Sequence, residues 1–272
     1  MPAPRARLDS ELVRRGLAAT RSDAQRLISS GRVAVGGSLT GKASTLVARD
    51  QALSVAPAER DYASRGGHKL AGGLDDLGVA VADRSCLDAG ASNGGFTDVL
   101  LRRGAARVVA VDVGYGQLAW RLQTDDRVVV LDRTNVRHLT PADVPPPAPD
   151  LVVADLSFIS LGRVLPALRA VADPEADHLL LVKPQFEAGP SGVGRGGVVR
   201  APGVWADTVR AVVDAAAELG LGPVGVAPSR LRGPAGNVEF FLHLRAGGAA
   251  DHEQAIAAAV AAIPEPGPGG RR

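Results

Sequence analysis

The 272-residue chain holds a single cysteine, a single methionine and only 3% aromatic residues. One cysteine, Cys86, excludes an internal disulfide, and its place at the head of an apolar run reads as a buried thiol. That usage fits a reducing cytoplasm. No uncharged apolar run reaches the 18 residues or so that a membrane-spanning helix needs. Residues 1–19 carry Arg5, Arg7, Asp9, Glu11, Arg14 and Arg15 and no apolar signal core, so neither secretion nor membrane insertion is expected. Cysteine and histidine never cluster with ligand spacing, so no metal is expected. With few aromatics, the core has to be built from Ala, Val and Leu.

What is present is ordinary for a soluble globular protein: 46% hydrophobic and 22% charged residues, in a length that allows one sizeable core and a small accessory domain. The net charge of +2 is uneven. Residues 1–60 carry 10 Lys+Arg against 5 Asp+Glu, a balance of +5, and the remaining 212 carry 21 against 24, a balance of −3. The basic end is where a polyanion would dock, although a solvated basic face explains the same count.

Residues 8–17, LDSELVRRGL, and 21–30, RSDAQRLISS, place Leu8, Leu12 and Val13, then Ala24, Leu27 and Ile28, at helical spacing. Ser22 is expected to cap the second helix and Gly31 to end it. RVAVGGSL then alternates and turns at Gly36-Gly37, and LVARDQALSV offers further short strands. Residues 7–37, RLDSELVRRGLAATRSDAQRLISSGRVAVGG, resemble the RNA-binding domain of the small-subunit ribosomal protein S-four, a likeness covering nearly all of 5–56. The resemblance implies a small α+β domain that grips structured RNA by phosphate contacts and shape. Its candidate contacts are Arg7, Arg14, Arg15, Arg21, Arg26 and Arg32, with Leu8, Leu12, Ile28 and Val33 in the core.

From residue 66 strand and helix patterns alternate, which implies an α/β domain: a Rossmann-like parallel sheet with helices on both faces. Seven strand patterns occur, the last two (LGPVGVAPS and NVEFFLHLR) close enough to pair as an antiparallel edge. The expected organisation is an RNA-binding domain over 1–60, a linker over 61–65, the sheet domain over 66–263 with a terminal helix within 249–263, and a disordered tail over 264–272.

In such a sheet, ligands sit beyond the carboxyl ends of the strands. CLDAGASNGGFTDVLLRRGA, residues 86–105, reads as strand, glycine-rich turn and helix, but lacks the G-x-G-x-x-G spacing of a dinucleotide site. Its Asp88-x-Gly90-x-Ser92-x-Gly94-Gly95-Phe96 suits a nucleoside ligand with an amino-acid head, because Asp88 repels phosphate and can help hold an ammonium. Asp112, 24 residues on, is placed to accept hydrogen bonds from ribose hydroxyls. Asp132, Asn135 and Val136 either edge an adenine or simply form a turn. Asp155 and Lys183 each follow a buried-looking run, LVVA and LLLV, which delivers opposite charges to strand ends facing one crevice; a structural salt bridge is the plain alternative. The glycine-rich stretch after Lys183 suits a lid over substrate, with Arg195 and Arg200 available for phosphates. His68 reads as a helix-start residue.

SRGGHKL, VADLSFISL, LVKPQFE and GNVEFFLHL make residues 64–245 resemble the FtsJ-like S-adenosylmethionine-dependent RNA 2′-O-methyltransferases, and with the N-terminal domain the chain is similar to the TlyA family of rRNA methyltransferases. The resemblance implies a catalytic tetrad of Lys69, Asp155, Lys183 and Glu239. It implies S-adenosylmethionine as cofactor, bound by Asp88, Gly90, Ser92, Gly94, Gly95, Phe96, Asp112, Asp132, Asn135, Val136 and Asp155. Ribosomal RNA in its subunits is the implied partner, with Arg65 among the RNA contacts, and the implied target is a cytidine whose methylation affects susceptibility to cyclic-peptide antibiotics. The family also carries a haemolysin label. Tyr62 in RDYA stands where the family's linker usually has Trp. In physical terms, a ribose hydroxyl must lose its proton as it attacks the sulfonium methyl, so Lys183 acts as base or oxyanion partner, Asp155 and Glu239 orient it, and Lys69 contacts a second hydroxyl or a phosphate. A non-catalytic RNA-binding factor and a membrane-lytic protein are the competing classes, and no oligomeric state is assigned from the sequence.

Overall fold

The computed structural model describes residues 5–55 and 62–264. Residues 1–4, 56–61 and 265–272 and the side chains of Pro190, Ser191 and Arg195 lie outside the described residues, so the start of the expected linker and nearly all of the expected tail go with them. The chain divides into two compact units, Met1–Asp61 and Tyr62–Arg272.

The first unit runs β1 (Arg5–Arg7), α1 (Leu8–Arg14), α2 (Arg21–Ser29), β2 (Val33–Val35), β3 (Ser38–Leu39), β4 (Leu46–Ala48) and β5 (Leu53–Val55). β1 pairs antiparallel with β4, and β2 lies between β3 and β5. Leu8, Leu12, Ala24, Ile28, Val33 and Val47 form its core, as the helical spacing requires. The cap of α2 is Thr20, whose Oγ1 accepts from the Asp23 N–H at 3.1 Å, and Ser22, expected in that place, sits within the first turn. Strand β1 was not foreseen, since three residues with two arginines carry no strand signal.

The second unit opens with α3 (Gly66–Asp76) and continues β6 (Ser85–Ala89), α4 (Gly95–Arg102), β7 (Arg107–Val111), α5 (Trp120–Gln123), β8 (Val128–Leu131), β9 (Leu151–Ala154), α6 (Leu165–Val171) and β10 (Asp177–Val182). Then follow α7 (Pro184–Glu187), α8 (Gly189–Gly192), α9 (Pro202–Ala217), β11 (Leu221–Pro228), β12 (Phe240–Ala246) and α10 (His252–Ala261). The seven-stranded sheet has the order β11-β12-β10-β9-β6-β7-β8, with β10 to β8 parallel and β12 antiparallel to both neighbours. The fold is thus mixed α/β with a mostly parallel sheet, as expected.

The strands are apolar on both sides because both faces are covered. Leu87, Val109, Leu180 and Phe240 pack on the side of α6, α9 and α10, whereas Cys86, Val108, Leu181 and Phe241 pack on the side of α3 and α4. Cys86 is fully buried, and burial pushes its thiol up to about 12. All five parallel strands point their carboxyl ends the same way, which gathers the turns after β6, β7, β8, β9 and β10 at one rim.

The opposite rim is a structural ionic network. Arg84 bridges Asp150 at 3.0 Å and Asp177 at 2.7 Å, and Asp177 takes a 2.8 Å contact from His243 Nε2. Burial pushes the Asp177 carboxyl up, but hydrogen bonds from His243 and Arg84 outweigh it and hold it down at about 2. Next to it His178 is fully buried, with Nε2 unpartnered, and desolvation lowers its pKa to about 4. A histidine that protonates near 6.5 when unfolded and near 4 when folded contributes stability that is complete above pH 6.5 and is lost as the pH falls toward 4. His178→Leu is therefore expected to flatten the acid limb of stability between pH 7 and pH 4 by on the order of 3 kcal/mol, read from calorimetric unfolding of both proteins across that range. Parallel pH dependences in the two would contradict the assignment.

Candidate active site

Two buried ion pairs stand at the rim. Lys183, one residue past β10, places Nζ 2.5 Å from Asp155 Oδ1 and donates to Ser157 Oγ at 2.9 Å. Lys69, in the first turn of α3, donates to Glu239 Oε2 at 2.5 Å. Register explains why they converge. β9 and β10 align Ala154 with Leu180, and β10 and β12 align Val182 with Phe240, so Asp155, Lys183 and Glu239 each leave the sheet at its carboxyl rim. Lys69, Lys183 and Glu239 are nearly inaccessible to solvent, and only Asp155 keeps an open side. All four line one cavity of about 590 Å³. In the structure Glu239 pairs with Lys69, whereas the sequence reading set it beside Lys183 as an orienter.

A second cleft of about 520 Å³ lies on the far side of Asp155. Asp112 Oδ2 accepts from the Ser92 N–H at 2.8 Å, and its Oδ1 accepts from the Gly114 N–H at 2.7 Å, which fixes a carboxylate at the cleft wall. Asn135 and Val136 line the same cleft, as anticipated, and Leu156, Ile159 and Val164 supply apolar walls. Gly90, Ser92, Asp155, Ser157 and Phe158 border both cavities, so the two spaces adjoin along the turn after β6 and the turn after β9. The close approach of those turns demands glycine. Gly90 has φ +88°, and a Cβ there would sit 2.8 Å from the Asp155 carbonyl oxygen. A Cβ on Gly95 would collide with Ser64 Oγ.

Several residues expected around a cofactor lie elsewhere. Asp88 is wholly buried and lines neither cavity; its Oδ2 accepts from Thr97 Oγ1 at 2.7 Å, its Oδ1 has no partner, and burial pushes the carboxyl up to about 7. Strand alternation explains this, since Asp88 shares the face of Cys86 and points under α4. Gly94 caps α4 at φ +91° and Asp132 accepts from the Gly116 N–H at 2.9 Å, but neither borders the cleft. Gly95 and Phe96 line the cavity with the ion pairs instead.

Ser157 and Phe158 were missed. Phe158 is 91% exposed at φ +65°, with its ring 5.1 Å from that of Phe186. The sequence signal was an aromatic three residues past the strand-end Asp155, where the apolar run should already have ended. The expected lid is tied down by Asn237, whose Oδ1 accepts from the Val199 N–H and whose Nδ2 donates to the Gly197 carbonyl, both at 2.9 Å, and Gly196 and Gly197 reach the cavity. Arg65 lines the cavity as well, and Arg200 is exposed. His68 sits on α3 against Tyr62, ring centroids 5.0 Å apart. Ala63, beside Tyr62, donates its N–H to Asp98 at 2.8 Å.

In the first unit most of the anticipated RNA-contacting arginines are also held by carboxylates. Asp9, wholly buried, binds Arg7 and Arg21 at 3.0 Å, and these partners hold it far below the usual carboxylate range. Glu11 binds Arg14 and Arg15, whose hydrogen bonds keep it at about 2, and Arg26 pairs with Asp23. Arg7, Arg14, Arg21 and Arg26 still face solvent, and Arg32 is half-buried. Arg15 does not: it donates to the carbonyls of Ala48, Arg49 and Gln51 and clips α1 to the β4–β5 turn, a structural role in place of the expected RNA contact.

Sheet order and rim define the class. The model of the FtsJ-like methyltransferase family matches residues 62–246, and that of the S4 domain matches residues 6–52. The chain belongs to the TlyA family. It is 58% identical over 244 residues to the 16S/23S rRNA (cytidine-2′-O)-methyltransferase TlyA of Mycobacterium tuberculosis, covering 89% of this chain and 91% of that protein. The protein YqxC of Bacillus subtilis is 46% identical, with 90% and 87% covered. A solved structure from Streptococcus thermophilus, described as a haemolysin, superposes with a TM-score of 0.69 at 35% identity, covering 94% of this chain and 96% of that one.

The family's methyl donor, S-adenosylmethionine, fits the second cleft by its chemistry: a fixed carboxylate for a ribose diol, apolar walls for a purine, and carboxylates that would repel the phosphates of a dinucleotide. Gly90→Ala is expected to weaken donor binding by at least tenfold in calorimetric titration, because the methyl forces the two turns apart in a left-handed backbone conformation. Unchanged affinity in the folded variant would remove Gly90 from the site.

Proposed function

We propose that the protein transfers a methyl group from S-adenosylmethionine to the 2′-hydroxyl of a cytidine ribose in ribosomal RNA. The observation that carries this reading is the cavity in which Lys69, Asp155, Lys183 and Glu239 meet, adjoining the cleft suited to the donor. The donor, when bound, supplies an electrophilic methyl on a sulfonium. The chain's part is to hold the hydroxyl in line and to stabilise the charge that grows on its oxygen. The Lys183 ammonium has three hydrogens; Asp155 and Ser157 take two, leaving one for the ribose oxygen. That count favours Lys183 as oxyanion partner over Lys183 as base. Asp155 fixes its direction, and the Lys69–Glu239 pair offers a second cationic contact to a neighbouring hydroxyl or phosphate. Phe158 at the mouth offers a face for a nucleobase, and Arg65 and Arg232 can meet phosphates.

The S4 unit supports an RNA partner, with Arg7, Arg14, Arg21, Arg26 and Arg32, together with Arg200 of the second unit, as its phosphate contacts. A substrate of this kind places the protein in the cytoplasm with ribosomal subunits. Haemolysin is a legacy name among the relatives, and no helix among the described residues is long and apolar enough to cross a membrane.

Lys183→Ala is expected to lower methyl transfer from labelled donor to ribosomal subunits by at least about 10³-fold, while donor affinity stays within about threefold, because the side chain acts on the hydroxyl. Transfer at the wild-type rate, or lost donor binding in a folded variant, would sink the assignment.

A further inference from the structure

A third, open groove of about 680 Å³ adjoins the cavity of the ion pairs, and the two share Phe158, Gln185 and Phe186. A nucleotide whose ribose reaches Lys183 can set its base at this seam. The two rings, 5.1 Å apart, supply aromatic faces for a flat heterocycle. Gln185 supplies something different. Its side-chain Oε1 is shielded from solvent and has no hydrogen-bond partner. Several polar side chains that line the same spaces already have partners: Lys69 pairs with Glu239, Lys183 with Asp155 and Ser157, Asn237 with the backbone of Gly197 and Val199, and Glu187 with Ser160 and Leu161. An unsatisfied acceptor inside a site is costly unless a ligand completes it.

From this we infer that Gln185 reads the nucleobase of the target, its carboxamide oxygen accepting from an exocyclic amine. The inference rests on the ribose-methylation reading above and adds what selects the base. Cytosine presents the N4 amine as donor beside N3 as acceptor, and a carboxamide presents an acceptor beside a donor, so two parallel hydrogen bonds form. Pro184 at the start of α7, and the hydrogen bonds from the Phe186 N–H to the Lys183 carbonyl and from the Ala188 N–H to the Pro184 carbonyl, both 2.9 Å, anchor the backbone that carries Gln185. A base without the amine leaves Oε1 buried and unpaired, and a site built for a hydrogen bond rejects an analogue lacking it far more strongly than an apolar pocket rejects a missing methyl.

The test compares ribosomal subunits reconstituted with rRNA that carries, at the methylated position, either cytidine or the pyrimidin-2-one riboside that lacks only the exocyclic amine. Wild-type protein is expected to favour cytidine by at least tenfold in kcat/KM. Gln185→Leu is expected to lose that preference, falling at least tenfold on cytidine and little on the analogue, with donor affinity unchanged. Gln185→Glu, which can still accept from the amine, is expected to keep most of the preference. A wild type that methylates both substrates equally overturns the inference even if neither variant folds, and so does a Leu variant that slows both equally. Failure of the ribose-methylation reading itself looks different, as wild type then methylates neither substrate.

Discussion

Burying an ammonium is expensive unless a carboxylate goes with it, and the rim of the sheet is organised around two such pairs. Lys183–Asp155 and Lys69–Glu239 are each 2.5 Å apart, and they draw their members from α3 and from the ends of β9, β10 and β12. Removing one partner would leave the other charged in a largely water-excluded place, so each pair holds its elements together as well as lining the cavity. A neutral cluster of two cations and two anions can sit beside a sulfonium donor and an RNA phosphate without strongly repelling either.

The rest of the second unit serves to bring those ends together. Both faces of the sheet are covered, so the strands can be apolar on both sides, and the hydrophilic residues collect where the strands stop. The turns after β6 and β9 then approach closely enough that Gly90 cannot carry a side chain. Their contact is what sets the second cleft and the ion-pair cavity side by side along Asp155, Ser157 and Phe158.

Much of this was legible in the chain. Alternation of apolar runs with helical spacing gave the sheet, and a charge directly after a buried run marked Asp155 and Lys183. Asp112, Asn135 and Val136, expected beside a nucleoside or in a turn, line one cleft, and Asn135 Oδ1 also accepts from the Arg137 N–H. What was not legible depended on direction. Asp88 is on the right strand but on the wrong side of it, and only the pleat decides that. Glu239 was expected beside Lys183, yet the position of α3 brings Lys69 to it first. The arginines of the first unit looked like a cationic face because a charge count tallies Asp9 and Glu11 without showing that they are buried against those arginines. Phe158 was hidden because a residue at positive φ reverses the path of the chain, which no periodicity records.

The central claim is that this cavity acts on a sugar hydroxyl of ribosomal RNA. Mass-spectrometric mapping of ribose methylation in rRNA, from cells with the gene deleted and from the same cells with it restored, tests that claim most directly. The account predicts that at least one 2′-O-methylcytidine disappears on deletion and returns on restoration. An unchanged ribose-methylation map, or a lost mark on a base atom alone, would contradict it.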